Sequence, residues 1–194
     1  MYIDFALLVD HNIHNYARKF ALEINEKYHT GLVASLLPQH ISLKQAFEVN
    51  KIEEVEKYFD GLAQEIIPFE ITFSKIDSIT FTKGNSEIAI LWMDTEENQQ
   101  LRNLHNKINK DLMEQFGIML LGPDGEKFHF HSTLIYGGQP VDIFKKIYRE
   151  LDNKIINLKF IPKEMVMFYS PDKESVPSTY ITYKILPIGS LNLK

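Results

Sequence analysis

The residues His40-Ile41-Ser42-Leu43 and His131-Ser132-Thr133-Leu134 are two copies of one four-residue motif, one in each half of the chain. Each copy has a histidine, a free position, a hydroxyl residue and a leucine. Each also lies in a stretch that reads as a β-strand, and side chains at positions i and i+2 of a strand point to the same face. Each strand is therefore expected to present an imidazole beside a hydroxyl, with the leucine on the opposite face.

The elements predicted around the two motifs follow the same order twice. A strand and a helix precede each motif strand, and a helix and two strands follow it; residues 87–93 close the first unit and also open the second. The motif strands themselves are predicted at residues 32–43 and 128–136. Asn50 with Glu53 and Asp94 with Glu97 have the spacing of capping boxes, which predicts two helix starts.

This duplicated order predicts an α+β fold. We expect one domain, residues 1–194, made of two pseudo-symmetric lobes. Each lobe is predicted to have an antiparallel-rich sheet with helices on the outside. The two sheets would face each other across a central cleft, and the motif strands would lie nearest to its middle.

Composition narrows the classes of function. The chain has 194 residues, of which 44% are hydrophobic, and it has no cysteine, which excludes disulfides and thiolate chemistry. No apolar run approaches the roughly 20 residues that span a bilayer, and the first ten residues lack the features of a signal peptide. A cytoplasmic protein without a membrane partner is therefore expected. A net charge of −5 argues against extended duplex nucleic acid and favours a nucleotide or a chain end as the partner.

The motif residues suit acid–base chemistry on a phosphodiester. Two histidines that face one substrate can divide the work, because one can take a proton from water while the other protonates the leaving oxygen. Two hydroxyls can donate to the two non-bridging oxygens as these gain charge. His40 and His131 are thus the candidate acid and base, with their order open, and Ser42 and Thr133 are the candidate phosphate ligands. A module that only binds a nucleotide or RNA end is the alternative.

The paired motifs, on strands of a duplicated unit in a cysteine-free chain, resemble the 2H phosphoesterase superfamily. This group includes bacterial 2′-5′ RNA ligase-like proteins and cyclic nucleotide phosphodiesterases. The resemblance implies a bilobal fold, the roles given above for the two histidines and two hydroxyls, and catalysis without a metal or other cofactor. It implies substrates such as 2′,3′-cyclic phosphates, ADP-ribose cyclic phosphate, 2′-5′ linkages or RNA ends. One position departs from the pattern: Ser132 replaces the usual apolar residue, and we expect it to face away from the chemistry.

Four further residues are candidates for the walls of the cleft. His129 would share a strand face with His131, Lys44 could attract a phosphate, and Tyr136 and Phe47 could stack on a base. For each of them, ordinary packing or solvent exposure is the alternative. A metal held by the three histidines is not predicted, because no carboxylate lies at a ligand spacing nearby. The loops at residues 121–127 and 170–178 are candidates for substrate selection.

Overall fold

The fold consists of two antiparallel sheets with helices packed around them. The structure is a computed structural model, which describes residues 1–120, 122, 124–151, 155–171 and 179–189. The predicted α+β class is confirmed. The strands are β1 (Tyr2–Leu8), β2 (His40–Ser42), β3 (Phe47–Glu48), β4 (Ile71–Lys83), β5 (Ser86–Thr95), β6 (His131–Tyr136), β7 (Ile155–Phe160), β8 (Glu164–Ser170) and β9 (Ile181–Pro187). The helices are α1 (His11–Tyr28), α2 (Ile52–Glu65), α3 (Gln99–Phe116) and α4 (Val141–Leu151). Within these ranges, no helix combines the length and the hydropathy that a bilayer span requires.

The two sheets take their strands from distant parts of the chain. The first has the order β2-β1-β8-β9, with β3 also paired to β1, and the second has the order β6-β5-β4-β7. The late strands β8 and β9 therefore complete the sheet that β1 begins, whereas two consecutive units would have kept each sheet within one half. The long antiparallel pairing of β1 with β8, from Tyr2 to Leu7, is what brings these late strands into the first sheet, an exchange of strands between the two halves of the chain. In both sheets, the strand that carries the motif lies at an edge.

The helix starts differ from the predicted capping boxes. Helix α2 begins after Lys51, which makes no side-chain cap. Helix α3 is capped by Asn98, whose side chain accepts from the N–H groups of Gln100 and Leu101 at 3.0 Å each. Asp94 cannot be this cap because β5 continues through it to Thr95.

The first motif strand is also much shorter than predicted. Residues Val33–Leu36 form a 3₁₀ turn, and only His40–Ser42 pair as a strand. Pro38 explains the late start, since proline has no N–H to offer a sheet and restricts the residue before it. The second motif strand starts at His131 itself.

A buried ion pair fixes the end of β2 to the segment that precedes β6. The Lys44 ammonium bonds the Asp124 carboxylate, and their side chains are only 1% and 0% exposed. Asp124 also accepts from the N–H of Gln45 at 3.0 Å. Beside it, His105 of α3 donates from Nδ1 to the Leu43 carbonyl at 2.7 Å and accepts from the N–H of Gly125 at 3.2 Å.

Two residues predicted to line the cleft, Lys44 and Phe47, do not lie there. Lys44 does not face the cleft, because its charge is buried and already neutralised by Asp124. Phe47 is 3% exposed and packs edge-on against Phe5 in the core, with ring centroids 5.4 Å apart. Of the two predicted loops, residues 121, 123 and 172–178 lie outside the described part of the chain.

The substitution Lys44→Met is expected to lower the free energy of unfolding by about 3–5 kcal/mol, because it leaves the Asp124 carboxylate buried without its cation. Urea unfolding of the purified variant measures this. Lys127→Met, at an exposed lysine of the same segment, is the matched control and should change stability by about 0.5 kcal/mol or less. The double variant Lys44→Met/Asp124→Leu should recover much of the loss; a Lys44→Met loss as small as the control's would contradict the role of the pair.

Candidate active site

The cleft lies between the two motif strands, which contact each other from the edges of the two sheets. The alternation along each strand matches the predicted faces. His40 and Ser42 are half-buried on β2, with Ile41 buried between them. His131 and Thr133 are half-buried on β6. The motif leucines lie in the core on the opposite face.

Two adjoining cavities form this cleft, with volumes of about 190 and 570 Å³. His40 and Thr133 line the smaller cavity, and His131 and Ser42 line the larger one. Each histidine therefore shares a cavity with the hydroxyl of the other motif. The residues common to both cavities are Gln45, Ile90 and Tyr136.

Both imidazoles are held in the same tautomer. His40 Nδ1 lies 2.7 Å from the carbonyl oxygen of Pro38, and His131 Nδ1 lies 2.9 Å from that of His129. A carbonyl oxygen can only accept, so Nδ1 must carry the proton in each ring. Nε2 of each neutral imidazole is then the nitrogen that can take up a proton.

Burial lowers the pKa of both histidines. For His40, loss of solvent outweighs the bond to Pro38, which acts in the opposite direction. For His131, burial together with the charges of His129 and His40 lowers the pKa to about 4, despite the bond to the His129 carbonyl. Both rings are therefore neutral at neutral pH in the empty cleft, and an anionic ligand would raise both pKa values.

Each imidazole packs on an aromatic ring of its own sheet. The ring of His40 lies 4.6 Å from that of Phe168 on β8, and the ring of His131 lies 4.5 Å from that of Trp92 on β5, measured between centroids. These contacts restrict the orientation of the two rings. Trp92 is also the only tryptophan in the sequence, which makes it a spectroscopic reporter of the cleft.

His129 and Tyr136, predicted as possible cleft residues, both line the larger cavity. His129 is more than half exposed, and its Nε2 lies 2.8 Å from Asp94 Oδ1. The spacing along the chain gave no sign of this carboxylate, which comes from β5 because Asp94 pairs with His131 across the sheet. Among the described residues, no three side chains of the metal-ligating types are grouped to hold a metal ion.

Gln39 joins the two motif strands, and sequence reasoning missed it. Its side-chain Nε2 donates to the carbonyl of Thr133 at 3.0 Å, and its Oε1 accepts from the Ser132 hydroxyl at 2.7 Å. Gln39 precedes His40 directly, and it is 4% exposed. Ser132 does face away from the cleft, as expected, and its departure from the apolar pattern now has a structural reason. The only sign in the sequence was a glutamine directly before the first motif histidine.

Asp4 of β1 is a second residue that was missed. It lines the smaller cavity, and its Oδ2 lies 3.1 Å from the Ser42 hydroxyl oxygen. Burial raises the pKa of Asp4 to about 8, against the opposing effects of the Ser42 bond and the Lys44 charge. A lone carboxyl inside the apolar run of residues 3–9 was the signal in the sequence.

Comparison with known proteins identifies the class to which this fold and site belong. The model of the 2′-5′ RNA ligase superfamily matches residues 11–174, so the chain belongs to this superfamily. The resemblance to the 2H phosphoesterases is thereby confirmed.

Two bacterial relatives carry the name “Putative phosphoesterase”. The protein of Geobacillus thermodenitrificans is 31% identical over 80 residues, which are 40% of this chain and 43% of that one. The chain thus matches less than half the length of that relative. The protein of Oceanobacillus iheyensis is 27% identical over 145 residues, 73% of this chain and 76% of that one.

Solved structures share the fold at low sequence identity. A protein of Thermus thermophilus is 14% identical, with a TM-score of 0.65 over 97% of this chain and 98% of that one. E. coli LigT, in a complex with 3′-AMP, is 15% identical, with a TM-score of 0.56 over 96% of this chain and 97% of that one.

Gln39→Leu is expected to lower the free energy of unfolding by about 1–3 kcal/mol, because it leaves the Ser132 hydroxyl and the Thr133 carbonyl without their buried partner. Gln139→Leu is the matched control: its amide also bonds a backbone carbonyl, that of His29 at 2.9 Å, but in an exposed contact. The control should lose well under 1 kcal/mol.

A double-mutant cycle with Ser132→Ala tests the bridge itself. Both substitutions break the same contact, so their effects on stability should be less than additive, with a coupling of about 0.5–3 kcal/mol. Strict additivity in urea unfolding would contradict a direct bond between the two side chains.

Proposed function

We propose that the protein is a metal-independent phosphodiesterase that hydrolyses a cyclic or 2′-5′ phosphodiester by histidine acid–base catalysis. The candidate substrates are a 2′,3′-cyclic phosphate, ADP-ribose cyclic phosphate, a 2′-5′ linkage or an RNA end. The observation that carries this proposal is the paired tautomer: two imidazoles from different sheets each have Nδ1 bound to a carbonyl and Nε2 left for proton transfer.

The crossed arrangement of the motif residues supports an in-line displacement at phosphorus. A phosphate at the junction of the two cavities would have one imidazole and one hydroxyl on either side. The neutral imidazole takes a proton from the attacking water, and the protonated imidazole gives one to the leaving oxygen. Ser42 and Thr133 donate to the two non-bridging oxygens, where fixed donors stabilise the charge of the transition state.

Substrate binding would itself prepare the two protonation states. Burial keeps both rings neutral in the empty cleft. An anionic phosphate favours one imidazolium, and the charge of that ring then disfavours protonation of the second. The larger cavity also has Lys127 and the half-exposed His129 in its wall, and these suit a substrate with further negative charge. The complex of LigT with 3′-AMP supports a nucleotide as the ligand class.

His40→Ala and His131→Ala are each expected to lower kcat by about 10² to 10⁴-fold, because each removes one proton transfer. The assay is a panel of 2′,3′-cyclic mononucleotides, ADP-ribose cyclic phosphate, 2′-5′ oligoadenylate and RNA ends, with phosphate position read by chromatography. His11→Ala, at an exposed helix start, is the matched control and should keep full activity. Activity of the wild type should survive EDTA. Equal turnover by the His40→Ala/His131→Ala double variant would rule the proposal out, and tight nucleotide binding without any product would favour a binding module.

The pH optimum of kcat/KM on a 2′,3′-cyclic nucleotide should lie below 6.5. The acid must be protonated in the free enzyme, and its protonated fraction falls as pH rises above a pKa that burial has lowered. In the complex the bound anion raises these pKa values, so the bell for kcat should lie at higher pH than the bell for kcat/KM. Rate profiles at low and saturating substrate check this, and coincident bells would contradict it.

A further inference from the structure

The Asp4 carboxyl group is poorly satisfied for an ionised acid. Oδ2 has the Ser42 hydroxyl as a partner at 3.1 Å, whereas Oδ1 is buried and has no hydrogen-bond partner. An ionised carboxylate has about four acceptor sites and needs most of them filled when it loses solvent. A protonated carboxyl needs fewer partners, because its O–H can donate to Ser42 and its carbonyl oxygen is uncharged and a weaker acceptor than a carboxylate oxygen.

The charges around Asp4 leave it without a counter-ion of its own. Lys44 attracts it, but Asp124 repels it, and these two are already paired with each other. From the cleft side, His40 lines the same cavity and is neutral in the empty protein. Phe168, which pairs with Asp4 from β8, adds no charge. Burial therefore dominates and raises the pKa of Asp4 to about 8.

We propose that Asp4 is a positioning residue that acts as a neutral carboxylic acid: its O–H donates to Ser42 Oγ, so that the Ser42 hydroxyl proton is directed to an oxyanion in the cleft. This inference rests on the proposed use of the cleft to bind a phosphate. By this inference, a residue of β1 controls whether the Ser42 hydroxyl can donate to a bound phosphate.

The single proton of a hydroxyl is the reason for this control. When Asp4 is ionised, its carboxylate accepts the Ser42 proton, and Ser42 has nothing left to donate to a phosphate oxygen. The ionised carboxylate also adds a negative charge to the cavity where an anion must bind. When Asp4 is neutral, both obstacles disappear, and Ser42 becomes part of a chain of two donors that ends on the anion.

The second hydroxyl provides an internal comparison. Thr133 is the counterpart of Ser42, and in the described part of the chain its hydroxyl has no carboxyl partner. Protonation of Asp4 should thus affect anion binding through one hydroxyl and not through the other.

Sulfate is the probe for the test, because its charge is constant between pH 6 and 10. Its dissociation constant is measured across this range from Trp92 fluorescence, for wild type and for Asp4→Asn. The asparagine N–H can donate to Ser42 as the neutral acid does, but it cannot ionise. The ratio of the wild-type constant to the variant constant removes the contribution of the histidines. This ratio should stay level up to about pH 7 and then rise by up to about tenfold per pH unit above the pKa of Asp4.

The same ratio, with and without Asp4→Asn, is then measured in proteins that also carry Thr133→Ala or Ser42→Ala. This separates an effect of Asp4 through the Ser42 hydroxyl from direct charge repulsion between Asp4 and sulfate. In Thr133→Ala the rise should persist, although sulfate binds more weakly. In Ser42→Ala most of the rise should disappear. A level ratio in the wild-type background would overturn the proposal, and so would a full rise in Ser42→Ala, since Asp4 would then act by charge alone.

A wild-type measurement keeps the proposal testable if Asp4→Asn does not fold. Calorimetry of sulfate binding at pH 9, in buffers of different ionisation enthalpy, should show uptake of nearly one proton per sulfate. Binding without proton uptake would overturn the proposal. Neither measurement needs turnover, so loss of the phosphodiesterase proposal in the substrate panel and loss of this one are distinct results.

Discussion

The amide of Gln39 is the constraint on which the geometry of the cleft depends. The site is divided between two edge strands of different sheets, and edge strands have backbone groups without ladder partners. Gln39 satisfies one of these groups, the Thr133 carbonyl, from the residue that directly precedes His40. The same side chain binds Ser132, the residue directly after His131. One buried amide thereby sets the relative position of the two histidines through short, stiff connections.

The two faces of each motif strand have separate tasks. The inward face anchors the strand through the motif leucines and, on β6, through Ser132. The outward face carries the imidazoles and hydroxyls, and the two imidazoles lose solvent there while Nδ1 makes the hydrogen bond of each ring. The lowered pKa values of His40 and His131 show that burial disfavours their charged forms. The strands tolerate this loss of solvation because their inward faces are packed into the core.

Sequence reasoning predicted the features that depend on local periodicity. The faces of the motif residues follow from the two-residue repeat of a strand, and the resemblance to the superfamily follows from the motifs themselves. Features that depend on neighbours across a sheet were not accessible. Asp94 contacts His129, and Asp4 contacts Ser42, only because β5 and β1 pair with the motif strands. The sequence predicts Lys44 as a cleft residue because it gives no indication that Asp124 is folded against it.

The exchange of strands between the two sheets has a consequence for the order of folding. Strand β1 is made well before its long partner β8, which follows the four strands of the second sheet along the chain. Until β8 arrives, β1 has an open edge that can pair with other chains. The sheet that β1 begins therefore stays incomplete until β8 has been made, and its completion requires a late, long-range pairing.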